Sequence, residues 1–263
     1  MATNTMRPLY LEEVMGFTVE EYSEFQPGDD SYLIVGFPDA GLVGPITVSY
    51  IVRKYGMSEL AGIDNRRLFP PVSVIVDGRP RPPVRVFGKD NIYAVVSEVP
   101  LPAQAFFQLA DFLVEWARLR GFRHLVSVTG LGVPNRLEIT KPKLYWLATS
   151  REAEELGSKL GGERFRNGII AGPYSLLLKN SLRRRVSNLV VLAEAFMDFP
   201  DPEAASAVVE GLNRMLGLGV DLRELLESAE SIKLRMKELM KSTKPVMAQM
   251  GKNLEYQGPM IYS

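Results

Sequence analysis

The chain has 263 residues, of which 46% are hydrophobic and 24% charged, as is typical of a folded globular protein with one large domain or two small ones. Its 31 basic and 31 acidic residues cancel, so no overall field attracts it to nucleic acid or to an anionic membrane, and we expect neither partner. The sequence has no cysteine, which excludes disulfides and thiolate chemistry, and one histidine, His124, which disfavours zinc and triad sites.

The N-terminus and the apolar runs bear on localisation. Residues 1–14, MATNTMRPLYLEEV, lack the basic and apolar segments of a secretory signal. The longest apolar runs, such as residues 189–193, are far shorter than the roughly 20 residues that span a bilayer. We therefore expect a cytoplasmic protein.

The first predicted elements form a strand, a loop and a helix. Residues 31–37 (SYLIVGF) are an apolar run that ends at Pro38, which predicts a buried strand. Over residues 42–55 the apolar side chains recur at spacings of three and four, which predicts a helix. Apolar runs at 72–76, 84–87 and 92–99 are separated by turns rich in proline, glycine and arginine, and predict further strands.

Strands and helices alternate through the rest of the body. The predicted strands cover residues 124–129, 144–148, 169–171 and 188–193, and the predicted helices cover 103–120, 151–160, 174–184 and 202–216. Such alternation favours parallel strand pairs joined by helical crossovers. We therefore predict a layered α/β fold, with a mostly parallel central sheet flanked by helices, in a domain of residues 1–220.

The remaining residues form a predicted C-terminal helix and a tail. Over residues 221–243 the apolar side chains Leu222, Leu225, Ala229, Ile232, Met236 and Leu239 alternate at spacings of three and four, as in a heptad seam. This seam packs either on its own domain or on a second copy of the chain, as an oligomer contact, and both alternatives stay open. Residues 244–263 lose the periodicity and contain proline and glycine, which predicts a flexible tail.

Two glycine-rich turns follow predicted strands. Their candidate ligand residues are Gly36, Asp39, Gly41 and Gly44 in the first turn and Gly130 and Gly132 in the second. Open α/β sheets bind ligands at the carboxyl ends of their strands, and a helix N-terminus there can hold a phosphate. Neither turn matches a Walker loop or GxGxxG. In the alternative interpretation, Pro38 and Gly41 shape a turn and Asp39 caps the helix.

A carboxylate, Glu194, follows the apolar run at 189–193. It can accept hydrogen bonds from sugar hydroxyls, but it can equally satisfy nearby loop amides. Together with Asp198 and Asp201 it can hold a hard cation, although an Asp201-Pro202 step that opens a helix is explained by capping alone. We assign no metal, no cofactor and no catalytic residue.

The end of the sequence, Ile261-Tyr262-Ser263, offers an apolar anchor, an aromatic hydroxyl and a terminal carboxylate. Terminal carboxylates are recognised by dedicated backbone sites on partner proteins, and a tyrosine adds apolar area and a hydroxyl to such a contact. These three residues are therefore candidates for binding a partner.

Several motifs in this order resemble the proteasome assembly chaperone family, particularly its archaeal members. They are residues 36–44, 130–132, 168–172, and 192–194 followed by 199–205. The resemblance covers residues 32–226 and implies an α/β domain similar to the nucleoside phosphorylase fold. It also implies a chaperone. Because the sequence offers no nucleophile, metal cluster or lysine-bearing phosphate loop, we expect that the protein is not an enzyme.

The resemblance further implies partners. Several archaeal members are homo-oligomers that bind proteasome α-subunits and end in a hydrophobic residue, a tyrosine and any residue, a pattern that Ile261, Tyr262 and Ser263 match. Other members have a terminal segment that packs internally. We therefore expect a proteasome assembly chaperone that binds α-subunits through its C-terminal tail as a homo-oligomer.

An enzyme is the alternative function. The family has been described as resembling ATP-grasp ligases, which need lysines over the nucleotide, yet residues 36–44 and 130–135 contain no lysine. A phosphorylase-like site needs a phosphate-binding arginine and a ribose-binding acid, for which Arg66, Arg67 and Glu194 are available. Neither set is compelling, and we expect a body that is silent toward ATP and nucleosides.

Overall fold

The computed structural model describes residues 7–97 and 99–258. The candidate partner-binding residues Ile261, Tyr262 and Ser263 lie outside this part of the chain. The strands are β1 (Tyr10–Val14), β2 (Phe17–Glu21), β3 (Tyr32–Gly36), β4 (Ser58–Asp64), β5 (Val74–Val76), β6 (Arg79–Arg81), β7 (Val84–Lys89), β8 (Ile92–Ser97), β9 (His124–Gly132), β10 (Leu144–Ala148), β11 (Glu163–Arg164), β12 (Gly168–Ile169), β13 (Asn188–Ala195) and β14 (Tyr256–Gln257). The helices are α1 (Val43–Tyr55), α2 (Ala103–Leu119), α3 (Arg151–Leu160), α4 (Pro173–Arg184), α5 (Pro202–Leu216), α6 (Arg223–Glu227) and α7 (Ala229–Gln249).

A ten-stranded sheet runs through the molecule in the order β1-β2-β4-β7-β8-β3-β9-β13-β10-β11. Its four central strands, β8, β3, β9 and β13, are parallel to their neighbours in that group. Antiparallel pairs extend the sheet on both sides of this centre. The predicted α/β class is confirmed. Because β3, β9 and β13 run in the same direction, their carboxyl ends meet at one edge of the sheet.

Helices cover both faces of the sheet, so the central strands are buried on both sides. Helices α1, α3 and α5 share one core with strand residues such as Ile34 and Val126. Helices α2 and α4 share the other core with Leu33 and Leu125, which are the chain neighbours of those residues. This division follows from the alternation of side chains along a strand, and it explains why β3 and β13 are nearly continuous apolar runs.

Up to Gly258, the last residue described, the C-terminal region differs from the predicted helix over 221–243 and from the flexible tail predicted after it. Its first part is divided into α6 and α7, and α7 continues through Pro245 to Gln249. Beyond it, β14 pairs with β12 in a small antiparallel ribbon. The helix continues past Pro245 because Val246 and Met250 pack on one core and Met247 is buried in the other. Burial of these apolar side chains outweighs the hydrogen bond that proline removes.

The predicted heptad seam packs on the chain's own domain. Leu225 is fully buried, and Ile232, Met236 and Leu239 pack against the core that α1 and α5 share. These seam residues contact the chain's own domain, as in the first alternative. An oligomer contact through the same helix stays a prediction. Among residues 7–97 and 99–258, no helix is long and apolar enough to cross a bilayer.

Candidate functional site

The two glycine-rich turns meet at the carboxyl edge of the central strands. A Cβ atom added to Gly130 would lie 2.3 Å from the backbone oxygen of Ala40. A Cβ atom at Gly36 would lie 2.5 Å from the backbone oxygen of Gly44. Glycine is thus needed where β3, the turn after it, α1 and β9 approach one another. These glycines bring backbones together; they do not line an open phosphate cradle.

Two other glycines position the neighbouring loop after β13. Gly41 has a φ of +63°, which favours glycine, and its carbonyl oxygen accepts a hydrogen bond from the Asp201 backbone N–H at 2.8 Å. A Cβ atom at Gly132 would lie 2.4 Å from Cε of Met197. The turns after β3, β9 and β13 are therefore packed directly against each other.

Asp39 lies in the middle of this edge and is only 1% exposed. Its Oδ2 accepts a hydrogen bond from Thr129 Oγ1 at 2.8 Å and one from Lys252 Nζ at 2.7 Å. Its side chain caps no helical N–H. The interpretation of Asp39 as a helix cap is therefore wrong, because its carboxylate binds the end of β9 and a residue from the far C-terminal region.

Lys252 completes a buried ion cluster with Asp39 and Glu255. Lys252 is 1% exposed, and its Nζ lies 2.7 Å from Asp39 Oδ2 and 2.7 Å from Glu255 Oε2. The second carboxylate oxygen, Glu255 Oε1, accepts a hydrogen bond from the Ala171 backbone N–H at 3.2 Å. Burial of an unpaired lysine or carboxylate is strongly unfavourable, so each charge in this buried ion cluster depends on the others.

The residues that follow Lys252 are attached to the body by backbone hydrogen bonds. Tyr256 pairs with Ile169 in the β12–β14 ribbon, and the Gly258 N–H donates to the Asn167 carbonyl oxygen at 3.1 Å. Residues 252–258, which we call the docking segment, therefore cover the carboxyl edge of the sheet. The chain itself occupies the place where open α/β sheets bind ligands.

Tyr174 closes the same region from α4 and is fully buried. Its hydroxyl accepts a hydrogen bond from the Phe37 N–H at 2.8 Å and donates one to the Phe37 carbonyl oxygen at 3.1 Å. Burial and the nearby Asp39 carboxylate raise the pKa of Tyr174 well above its usual value. The neutral hydroxyl thus holds the turn that carries Asp39.

The charges of the buried ion cluster shift the proton affinities of its members. Burial raises the pKa of Glu255 to about 7, with Lys252 opposing this rise and Asp39 adding to it. Burial alone would lower the pKa of Lys252, but the Asp39 and Glu255 carboxylates hold it above its ordinary value. Lys252 is therefore an ammonium at neutral pH. It serves as a cationic anchor, since a nucleophilic lysine requires a lowered pKa.

Glu194 belongs to a different part of the edge. Its Oε2 accepts a hydrogen bond from the Lys143 N–H at 2.9 Å, and its Oε1 accepts one from the Tyr145 hydroxyl at 3.2 Å. Glu194 thus accepts hydrogen bonds from a loop amide and a strand side chain, which agrees with the interpretation that it satisfies nearby loop amides. Arg66 and Arg67 follow β4, and the amides of Arg67 and Leu68 donate to Asn65 Oδ1.

Asp201 caps α5, as predicted, and also holds a buried arginine. Its Oδ1 accepts a hydrogen bond from the Ala204 N–H at 3.0 Å. Arg136 Nε and Nη2 donate to the two Asp201 oxygens at 2.7 and 3.0 Å, and Arg136 is only 2% exposed. The Phe196 N–H donates to the same carboxylate at 3.1 Å. No group of His, Asp or Glu residues with the arrangement of a metal site occurs in the described part of the chain.

Sequence reasoning missed Lys252, Glu255 and Arg136. The loops contain no lysine of their own, and the fold supplies one from the C-terminal region. The only local signal is the three-residue spacing of Lys252 and Glu255, which places opposite charges within reach of each other. That spacing occurs often on solvent-exposed turns, so it does not predict burial.

Comparisons with known proteins identify the family of this chain. Residues 33–240 match the PAC2 family. The chain belongs to the PAC2 family. The uncharacterised protein MJ0106 of Methanocaldococcus jannaschii is 27% identical over 231 residues, which cover 86% of this chain and 90% of that protein.

Two solved structures of proteins from Pyrococcus furiosus share the fold of this chain. PbaA, an archaeal homologue of proteasome-assembly chaperone, is 29% identical with a TM-score of 0.78, covering 87% of this chain and 98% of PbaA. PbaB, an archaeal proteasome activator, is 22% identical with a TM-score of 0.69, covering 86% of this chain and 99% of PbaB. The sequence resemblance to the proteasome assembly chaperone family is confirmed.

Proposed function

We propose that this PAC2 protein is a non-enzymatic proteasome assembly chaperone that binds proteasome α-subunits through Ile261, Tyr262 and Ser263. The observation that carries the proposal is the likeness to PbaA along 87% of the chain at 29% identity. The match of residues 261–263 to a hydrophobic-Tyr-any pattern supplies the contact residues.

The docking segment supports this role by fixing where the contact residues begin. Gly258, the last residue that the structure describes, is hydrogen-bonded to Asn167, and residues 259–263 follow it in the sequence. A five-residue chain reaches at most about 17 Å. If residues 261–263 bind an α-subunit, as we propose, the contact would lie within this distance of Gly258 and hence near the β12–β14 ribbon.

The buried ion cluster supports a binding role over an enzymatic one. Asp39, which lies in the first glycine-rich turn, and Lys252 are each about 1% exposed and are hydrogen-bonded to each other. A nucleotide or nucleoside at this edge would have to displace the docking segment. The buried ion cluster therefore offers no exposed charged side chain for the ligand of an ATP-grasp-like or a phosphorylase-like enzyme.

Homo-oligomerisation is part of the same proposal. One short segment binds weakly, whereas several segments on one oligomer that meet equivalent sites on a ring raise the effective affinity by 10² to 10⁴, a rough range for linked sites. A chaperone that acts on a ring of α-subunits therefore gains from being an oligomer. The mass in solution, measured by light scattering, tests this part.

The test of the contact is a binding measurement with purified archaeal proteasome α-subunits. We expect the full-length protein to capture them, Tyr262→Ala and deletion of 261–263 to reduce capture at least tenfold, and the exposed-tyrosine control Tyr10→Ala to have no effect. Equal capture by all variants would exclude residues 261–263 as the contact. No capture by the full-length protein would exclude α-subunits as the partner.

A further inference from the structure

An apolar groove of about 670 Å³ lies between α7 and the loops that follow β9 and β13. Three large side chains on its walls are mostly exposed: Leu137 at 89%, Phe199 at 66% and Leu234 at 72%. Met240, which is buried, also lines the groove. Exposed apolar side chains that converge on one concavity are typical of a binding surface, whereas isolated ones are not.

One wall of this groove is lined by lysines of α7, namely Lys233, Lys237, Lys241 and Lys244. Glu230 pairs with Lys233 at 2.9 Å, and Asp198 pairs with Lys244 at 3.4 Å. Within residues 7–97 and 99–258, Lys237 and Lys241 have no such acidic partner. The groove therefore combines an apolar surface with a positive charge that is not neutralised.

The walls of the groove are held in place before any partner binds. On the side opposite α7, the Asp201 carboxylate accepts hydrogen bonds from the Arg136 side chain and from the Phe196 backbone N–H. Phe196 and Phe199 pack edge to face, with ring centroids 6.4 Å apart. A preformed groove loses little conformational entropy on binding, which favours recognition of a defined shape.

We propose that this groove binds an acidic amphipathic helix of a partner protein. Lys237 and Lys241 are one helical turn apart, so carboxylates on successive turns of a bound helix would meet them. The apolar face of the same helix would cover Leu137, Phe199 and Leu234. This proposal rests on residues other than 261–263 and does not depend on the proposed function.

The composition of the groove favours this occupant over two others. A nucleic acid would place phosphates beside Asp198 and Glu230 and would leave the apolar walls without matching contacts. A second copy that packed through the same face would bring its own α7 lysines against these lysines, because a two-fold contact pairs identical surfaces. An acidic helix with an apolar face satisfies both the lysines and the exposed apolar side chains.

The experiment uses the full chain and a fluorescein-labelled synthetic helical peptide with leucines on one face and glutamates beside them. We expect micromolar binding by anisotropy that weakens with salt. Binding should fall at least tenfold in Lys237→Glu/Lys241→Glu and in Leu137→Ser/Leu234→Ser. The matched surface controls, Lys159→Glu/Lys179→Glu and Leu182→Ser, should change it less than twofold.

Four outcomes would overturn the proposal. They are no binding of the peptide, equal binding by groove and control variants, equal binding of a scrambled peptide that lacks the apolar face, and tighter binding of a single-stranded oligonucleotide that the lysine variants abolish. A change in the mass of the unbound protein in Leu137→Ser/Leu234→Ser would instead assign the groove to a second copy. Circular dichroism confirms that each variant is folded.

Discussion

Lys252 Nζ lies 2.7 Å from Asp39 Oδ2, although the two residues are 213 positions apart along the chain. This contact joins the docking segment to the turn after the first central strand. Because both side chains are buried, the contact makes the C-terminal region part of the α/β body.

Replacing Lys252 with methionine should strongly destabilise the protein. The change leaves the Asp39 and Glu255 carboxylates buried without their shared cation, and breaking a buried ion pair costs about 3–5 kcal/mol. Urea unfolding measures the loss. The surface control Lys159→Met should leave the midpoint nearly unchanged, and an equal, small effect of both variants would show that the buried ion cluster contributes nothing.

The docking segment should be held more tightly at low pH. The pKa of Glu255 is about 7 in the folded protein and 4.5 when the side chain is exposed, so docking favours the protonated form. The stabilisation is complete below pH 4.5 and is lost as the pH rises through about 7. Hydrogen exchange of the Gly258 amide, corrected for intrinsic rates, should therefore show more protection at low than at high pH within this range.

Glu255→Gln is the control for this pH dependence. The variant retains most of the side-chain shape but cannot titrate, so the difference in Gly258 protection across the range should largely disappear. If the pH dependence were the same in the variant, another group would have to cause it.

Arg136→Ala should destabilise the edge that carries the α5 cap. Arg136 donates two hydrogen bonds to the buried Asp201 carboxylate, and its loss leaves that charge without a cation, at a cost of about 3–5 kcal/mol. Arg136→Lys should restore only part of the lost stability, because lysine cannot form the bidentate hydrogen bonds that arginine makes to a carboxylate. Thermal unfolding measures both, with exposed Lys141→Ala as the control; similar melting of all three variants would contradict the expectation.

Leu225→Ala should lower stability without changing the mass of the protein. Leu225 is fully buried in the chain's own core, and such truncations cost about 2–5 kcal/mol. The neighbouring Leu226 is 49% exposed, so Leu226→Ala should have little effect. Light scattering on the folded variants decides the matter, since dissociation caused by Leu225→Ala alone would place the seam at an oligomer contact.

Gly130→Ala should destabilise the edge through a clash. The new methyl group would lie 2.3 Å from the Ala40 carbonyl oxygen, and overpacking of this kind costs about 1–3 kcal/mol. The control is Gly28→Ala, because no atom lies within 4 Å of a Cβ added at Gly28. Equal stability of the two variants would mean that the turns after β3 and β9 move apart easily.

The sequence alone determined the fold class, the order of most helices and strands, and the family. Apolar periodicity and turn residues are local properties, and they predicted elements such as the strand over 188–193 and the helix that Asp201 caps. The glycines at 36, 44 and 130 were also singled out from the sequence, but as candidate ligand residues. The structure shows that they allow close contacts between backbones, which require that residue type.

Only the tertiary structure decided what the C-terminal region does. Pro245 and the polar residues after it predicted a flexible tail. No local pattern in the sequence indicates that Met247 is buried or that Lys252 binds Asp39. A lysine has the same sequence signature on the surface and in a buried ion cluster. The difference is set by charges more than 200 positions away, which become neighbours only after the parallel strands have assembled.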